Sequence, residues 1–477
     1  MGGEPVAKTY KLNPLDAAWL MVESTDTPMH VGSLTIFSLP KNASPDFLRD
    51  TVASLRQHRN FAPPFNLKLV SPKLKGVLPA WIEDHKIDLD YHFRHSALPA
   101  PGGERELGVL ISRLHSHPLD FNRPLWECHL IEGLENNRFA LYVKMHHSQV
   151  DGVGGMKMLE RMLSSDPEAT DRLPPWAVGR GGGSARPRAV KAPLAERLKS
   201  LALAQAETLP GVIKALGEVV SETFNQTDPA HAAPFVAPKS ILNRKIGGQR
   251  RFATQYYELE RIRRIAKAAE VTVNDVFLEL CSGALRRYLD EIQALPNAPL
   301  TAGVPVSVRP ADDGDSGNAI SFIIANLNTH LADPLKRLKA IQESTNIAKD
   351  KLQALPKAGI NNYTMVFMAP YILSLLTGLG GRTRPMFNVT ISNVPGPREH
   401  LYFNGARLEQ MYPISLLSHG QALNITVVSY AGQFNVGFTG CRDTLPHMQR
   451  LATYMAESLE ELERAVEKQQ HKRRKVV

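Results

Sequence analysis

Apolar and polar residues alternate through Ser33-Leu34-Thr35-Ile36-Phe37-Ser38, the two-residue period of a strand, and from Pro45 to Arg56 the period lengthens to that of a helix. A second strand-rich region runs from Trp126 to His147. Within it Phe139, Leu141, Val143, Met145 and His147 share one parity, and Ala140, Tyr142, Lys144 and His146 the other, so the apolar parity carries His147 toward a core. Gly152, Gly154 and Gly155 then predict a tight turn, followed by an amphipathic helix that uses Met156, Leu159, Met162 and Leu163. The pattern breaks at Asp166, where Pro174-Pro175, Gly179, Gly181-Gly182-Gly183, Pro187 and Pro193 mark a linker with helical periodicity over 194–223. A second patterned region opens near Phe252. Its spacing predicts helices over 259–269, 274–290 and 334–353, strands over 300–308, 387–393, 423–430 and 433–439, and a last helix over 444–467.

Strands and helices interspersed along both halves predict a mixed α/β chain, and 477 residues exceed the roughly 250–300 that one core serves. The expected division is a first domain at 1–171, a linker at 172–235, a second domain at 236–467 and a basic tail at 468–477. The net charge of +9 is uneven: residues 172–200 hold seven Lys/Arg against Glu196 alone, and the last ten residues hold five with no acid. The remainder is slightly acidic, and no RNA-binding motif accompanies the basic runs, so nucleic acid is not an expected partner. Solvated basic segments, or docking to anionic lipid, account for them. Thr364 to Gly380 is the most apolar stretch, yet it is shorter than the ~20 residues of a membrane span and contains Pro370. It reads as a buried helix or as a patch that touches lipid. The three cysteines are far apart, which predicts neither a disulfide framework nor a zinc site, and the N-terminus shows no signal-peptide pattern.

The run His146-His147-Ser148-Gln149-Val150-Asp151-Gly152 holds the strongest candidate chemistry. A histidine with one free ring nitrogen can take a proton from a hydroxyl near neutral pH. The structural alternatives are packing for the histidine pair and helix capping for Asp151. No metal is expected, because adjacent strand residues point to opposite faces and no third ligand lies nearby. Gly314-Asp315-Ser316-Gly317 copies a protease loop without its context, Ser148 lacks the nucleophile-elbow glycines, and no phosphate-binding loop is present.

The heptapeptide matches the HHxxxDG motif of the acyltransferase superfamily that includes chloramphenicol acetyltransferase, carnitine acyltransferases and peptide-synthetase condensation domains. Asn13-Pro14-Leu15-Asp16 with Thr27-Pro28-Met29-His30-Val31-Gly32, Pro124-Leu125-Trp126, Asn274-Asp275 and Asn388-Val389-Thr390-Ile391-Ser392-Asn393-Val394-Pro395-Gly396-Pro397 narrow the match. Together they resemble the bacterial wax ester synthase/diacylglycerol acyltransferase family. The plant relatives' DFGWG motif is absent.

The resemblance implies two chloramphenicol-acetyltransferase-like domains of mixed sheets with an active-site tunnel between them. It implies transfer of a fatty acyl group from acyl-CoA, a co-substrate rather than a cofactor, to a long-chain fatty alcohol or to diacylglycerol. His147 would be the general base, with His146 supporting it. Asp151 would anchor the loop through a salt bridge, with Arg309 the first candidate partner and Arg56 the second. The backbone near Gly152 and the Asn274 amide are candidates for stabilising the oxyanion; Asn274 can equally start a helix. Pro124, Trp126 and Asp275 are expected to be structural. The expected location is the cytoplasm, with peripheral attachment to membrane or lipid inclusions. Two alternatives stay open: a carrier-protein-dependent acyltransferase or condensation enzyme of the same fold, and a non-catalytic homologue that binds lipid droplets.

Overall fold

The alternation at 33–38 belongs to a nine-residue strand, β2 (His30–Ser38), paired antiparallel with β7 (Arg138–His146) so that His30 faces His146 and Ser38 faces Arg138. The computed structural model describes residues 9–12, 14–75, 79–179, 230–307, 320–354 and 370–476. The chain divides into two compact units: Met1–Glu207 with Val394–Leu416, and Thr208–Asn393 with Leu417–Val477.

In the first unit a short three-stranded sheet, ordered β1-β4-β3, is made by β1 (Thr9–Lys11), β3 (Leu67–Leu69) and β4 (Ala80–Glu83). The main sheet adds β5 (Phe93–Ala97), β6 (Trp126–Leu134), β12 (Tyr402–Phe403) and β13 (Ala406–Ile414) to β2 and β7, in the order β12-β13-β2-β7-β6-β5. All neighbours run antiparallel except β5 with β6. A hydrogen bond of 2.6 Å from the Ser38 hydroxyl to Glu409 ties β2 to β13. Gly32 permits a close approach here: a Cβ at that position would stand 2.8 Å from the Tyr142 ring.

The helices of this unit include α1 (Pro14–Val22), α2 (Phe47–Gln57), α3 (Leu89–His92), α4 (Glu104–Ser116), α5 (Gly152–Met162) and α6 (Pro175–Val178). Both parities of β7 are buried, since only Arg138 and Val143 show appreciable exposure. A central strand covered on both faces loses the in/out alternation that an exposed sheet shows. The parity that was expected to separate His147 from His146 therefore does not do so. His147 lies one residue beyond the strand, in the turn that follows.

The second unit's sheet is ordered β10-β9-β11-β14-β15-β8, from β8 (Arg250–Glu258), β9 (Thr301–Ser307), β10 (Ile320–Asn326), β11 (Val389–Pro395), β14 (Leu423–Tyr430) and β15 (Gln433–Cys441). Its helices α7 (Leu259–Ala269), α8 (Val273–Glu291) and α9 (Pro334–Gln353) follow the expected periods closely, whereas α10 (Arg450–Val476) begins six residues later than expected and runs on through the basic tail. The α8 residues 276–285 are buried throughout, and Leu278, Leu280, Leu338, Met455 and Leu459 belong to one core. Within that core Arg337 holds Glu279 at 2.6 Å, both side chains almost fully buried. Full burial pushes the Glu279 carboxyl up to about 7 even against the pull of Arg337. No helix among the described residues is long and apolar enough to cross a membrane. The linker helicity expected over 194–223 lies outside the described residues.

Candidate active site

The peptide that carries the two histidines is gripped from both sides. The His146 N–H donates to the Leu125 carbonyl at 3.0 Å, and the His147 N–H donates to the Met29 carbonyl at 2.8 Å. Leu125 belongs to the Pro124-Leu125-Trp126 run and Met29 to the Thr27–Gly32 run, so two stretches remote in sequence set the position of the pair. Trp126 explains the first grip. Its ring is fully buried, donates Nε1–H to the Phe65 carbonyl at 2.8 Å, and stacks between His92 (4.4 Å) and Trp176 (5.7 Å). Pro124 accepts the Trp126 N–H at 2.9 Å and closes the turn into β6. Trp126 begins β6, the strand paired directly with β7, and stands opposite Met145, next to His146.

His146 is buried and its tautomer follows from its partners. Nδ1 accepts the Ser148 N–H at 3.1 Å and meets the Ser148 hydroxyl at 2.7 Å, so in the neutral ring the proton sits on Nε2. Nε2 faces the Glu23 carboxylate at 3.4 Å, an ion-pair distance longer than an aligned hydrogen bond. The same carboxylate oxygen accepts the Met29 N–H. Lys75 closes this corner: its Nζ donates to the carbonyls of Leu20 and Glu23 at 3.2 Å each and lies over the Phe121 ring, whose edge meets His146.

His147 is half-buried, with its ring stacked on Trp19 (centroids 4.6 Å apart, planes at 23°). Desolvation lowers its pKa from 6.5 and the positive field of His146 adds to that, while a hydrogen bond to its own backbone and the charge of Asp151 pull the other way. The imidazole is therefore neutral at pH 7, the form that can accept a proton. Trp19 and Glu23 were not among the residues the sequence singled out. Their spacing of four, one helical turn, between the Asp16 and Thr27 landmarks was the available signal.

Asp151 is the N-cap of α5. Its carboxylate accepts the Gly154 N–H at 2.6 Å, and its carbonyl accepts the Gly155 N–H at 2.8 Å. Among the described residues it forms no ion pair; Arg56 instead pairs with Asp90 at 3.4 Å, and Arg309 lies outside the described residues. Gly152, Gly154 and Gly155 form the first turn of α5 rather than a separate tight turn, and none has a positive φ. A capped helix start needs no left-handed residue. Gly154 still matters for space, since a Cβ there would approach the capping Asp151 oxygen to 3.1 Å.

Behind β7 lies a buried ionic cluster. Lys144 Nζ sits 3.2 Å from Glu127 and donates to the carbonyls of Leu114 and His117 at 3.0 and 2.9 Å, which ties the end of α4 to the strand two residues before His146. Glu127 is buried, yet His129, Lys144 and Arg94 together hold its carboxyl at about 2.

The remaining sequence-picked residues lie in the second unit. Asn274 is the second residue of α8, behind the N-cap Thr272. Asp275 completes a capping box: it accepts the Thr272 N–H at 3.0 Å and hydroxyl at 2.6 Å, and the Thr345 hydroxyl of α9 at 2.8 Å. It is fully buried and locks α8 to α9. Asn388, at the head of the C-terminal motif, is likewise a scaffold residue, bonded to Thr301, Pro238 and Asn243. Among the described residues no group of three His, Cys, Asp or Glu stands close enough to hold a metal ion.

Residues 12–277 match the model of the wax ester synthase/diacylglycerol acyltransferase catalytic domain, and residues 316–463 match that of the WS/DGAT C-terminal domain. The chain belongs to this family. An O-acyltransferase WSD from Acinetobacter baylyi is 44% identical over 460 residues, 96% of this chain and 98% of the relative. The wax ester synthase/diacylglycerol acyltransferase structure from Marinobacter aquaeolei superposes with a TM-score of 0.78 at 40% identity, covering 96% of this chain and 99% of that one. A starter condensation domain of rhizomide synthetase, 14% identical over 96% of this chain and 94% of the other, reaches a TM-score of 0.53 and shows a shared two-domain mixed α/β fold. As a WS/DGAT family member the chain is an acyltransferase, and the stretches that grip His146 and His147 are the family landmarks quoted from its sequence.

Proposed function

We propose that this WS/DGAT acyltransferase moves a fatty acyl group from acyl-CoA to a long-chain alcohol, giving a wax ester, or to diacylglycerol, giving triacylglycerol, with His147 as general base. The observation that carries the reading is the Trp19-stacked imidazole of His147 on a backbone held from two sides. His147 takes the proton of the acceptor hydroxyl as its oxygen bonds to the thioester carbon. The tetrahedral intermediate then expels the CoA thiolate, to which the imidazolium returns the proton. General base catalysis of this kind contributes about 10²–10⁴-fold.

The developing oxyanion needs donors that are already oriented. The start of α5 supplies Gly152 N–H and Val153 N–H, which have no intrahelical acceptor, at the positive end of the helix. His146 supports the turn through Ser148 and Glu23, and Asp151 anchors it as a cap. Acyl-CoA and a water-insoluble acceptor place the reaction at a lipid–water boundary, and we assign the protein a peripheral position on membrane or lipid inclusions.

The test is CoA release from palmitoyl-CoA with hexadecanol and diacylglycerol offered side by side, using wild type and His147→Ala. Wild-type release with either acceptor, abolished in a folded His147→Ala, is expected. Substantial turnover in the variant would remove His147 as the base. Turnover only with an acyl-carrier protein as donor would replace the CoA reading.

A further inference from the structure

The second unit carries an apolar ridge that its core does not use. The helical segment 370–376 and the turn after it leave Leu373, Leu376 and Leu379 exposed (44, 46 and 46%) at three-residue spacing. Single exposed leucines are ordinary, but three in a row on one short segment are a patch. The segment is firmly seated on its other side. Tyr371 stacks on Phe387 at 6.2 Å and its hydroxyl bonds Ser418, while a Cβ on Gly380 would stand 2.9 Å from the His419 carbonyl. The leucines thus face outward on an anchored element.

The segments that form and flank the ridge carry charge of one sign. Residues 370–381 contain no charged group, and Arg382 and Arg384 follow at once, both exposed. Gly381 packs against the backbone of Arg244 and Lys245, at 2.8 and 2.6 Å from a Cβ position, so that exposed basic pair lies beside the same turn. Neither 370–393 nor 239–249 contains an Asp or Glu. Among the described residues none of the four cations is in an ion pair. Leucines beside exposed cations match the layout of a lipid interface, where apolar side chains enter below the headgroups and cations meet the phosphates.

We propose that Leu373, Leu376 and Leu379 together with Arg244, Lys245, Arg382 and Arg384 form the surface by which this protein docks on anionic phospholipid. The proposal rests on the reading that the acceptor is a water-insoluble lipid, and it gives that reading a place on the molecule. Each cation near such a surface is worth roughly fivefold in partitioning.

Co-sedimentation of the full chain with phosphatidylcholine vesicles, with and without a quarter phosphatidylglycerol, tests it. Wild type binds the anionic vesicles and is released by salt. Leu373→Ser/Leu376→Ser/Leu379→Ser and, separately, Arg382→Glu/Arg384→Glu each lose at least tenfold in binding at unchanged Tm. CoA release with detergent-dispersed hexadecanol stays at the wild-type level in both variants. Wild type that ignores anionic vesicles, or variants that bind as wild type does, overturn the proposal. So does a wild-type dimer that the leucine substitutions split, which assigns the ridge to a second copy of the chain. Failure of the acyltransferase reading shows separately, as absence of CoA release from wild type in detergent.

Discussion

The indole of Trp19 lies almost flat on the imidazole of His147, 4.6 Å between centroids, and is one of the groups that shield that ring from water. Shielding disfavours the imidazolium, so the pKa falls below 6.5. A general base must be neutral, and kcat/KM reports the free enzyme's ionisations. The acid limb of kcat/KM is therefore expected to have its midpoint below pH 6.5. Trp19→Ala readmits water and moves that midpoint upward, toward 6.5. An unchanged acid limb in the variant would assign the shift to other groups.

Glu23 and His146 make a second pair that can be dissected. Glu23→Gln keeps an oxygen for the Met29 N–H but removes the negative charge beside Nε2 of His146; Glu23→Ala removes both. The expected order of thermal stability is wild type, Glu23→Gln, Glu23→Ala. Stranding the buried Met29 N–H costs about 1–3 kcal/mol. Because Met29 also holds His147, kcat is expected to fall more in Glu23→Ala than in Glu23→Gln. Equal kcat in the two variants would separate the Met29 contact from catalysis.

Asp151 distinguishes a cap from an ion pair. Asparagine caps helices about as well as aspartate, whereas alanine costs roughly 0.5–2 kcal/mol. If the bond to Gly154 is what matters, Asp151→Asn retains most of the stability and activity and Asp151→Ala loses both. A salt-bridge role predicts that the two variants are equally damaged. Thermal unfolding and CoA release on both variants separate the cases.

Lys144 and Glu127 are both buried, and removing Lys144 leaves Glu127 with Arg94 and His129 as its remaining partners. Lys144→Met is expected to cost less than the roughly 3–5 kcal/mol of a wholly uncompensated buried charge, and Lys144→Met with Glu127→Gln should recover part of it. Additive losses in denaturant unfolding would refute the coupling.

Acid should destabilise the protein in two stages. His92 and His129 have folded pKa values lowered by burial, so the unfolded chain binds the extra protons and stability is lost as pH falls through 6.5 and below. Glu127 is depressed from 4.5 to about 2, so its contribution is present above 4.5 and lost as pH falls toward 2. Tm measured from pH 8 to 3 is expected to decline in both windows. Glu127→Gln should flatten the lower decline and, because Glu127 also raises the pKa values of His92 and His129, deepen the upper one.

The sequence by itself determined the local elements and the family. The 3.6 period over 259–269 returned as Leu259–Ala269 and the alternation over 423–430 as Leu423–Tyr430, because period is a property of neighbouring residues. The family came by resemblance, because each motif that carries it reads in a few consecutive positions. Tertiary structure alone decided which distant pieces meet. The strand Ala406–Ile414 joins β2 of the first unit, with Ser38 bonded to Glu409 across 371 residues of chain, through backbone hydrogen bonds that leave no periodic trace in the sequence. Burial of β7 on both faces removes the parity distinction between His147 and His146, and His147 stands in the turn beyond the strand. The grip of Met29 and Leu125, the stacking of Trp19 and the carboxylate of Glu23 are likewise through-space relations, fixed by packing between segments far apart along the chain.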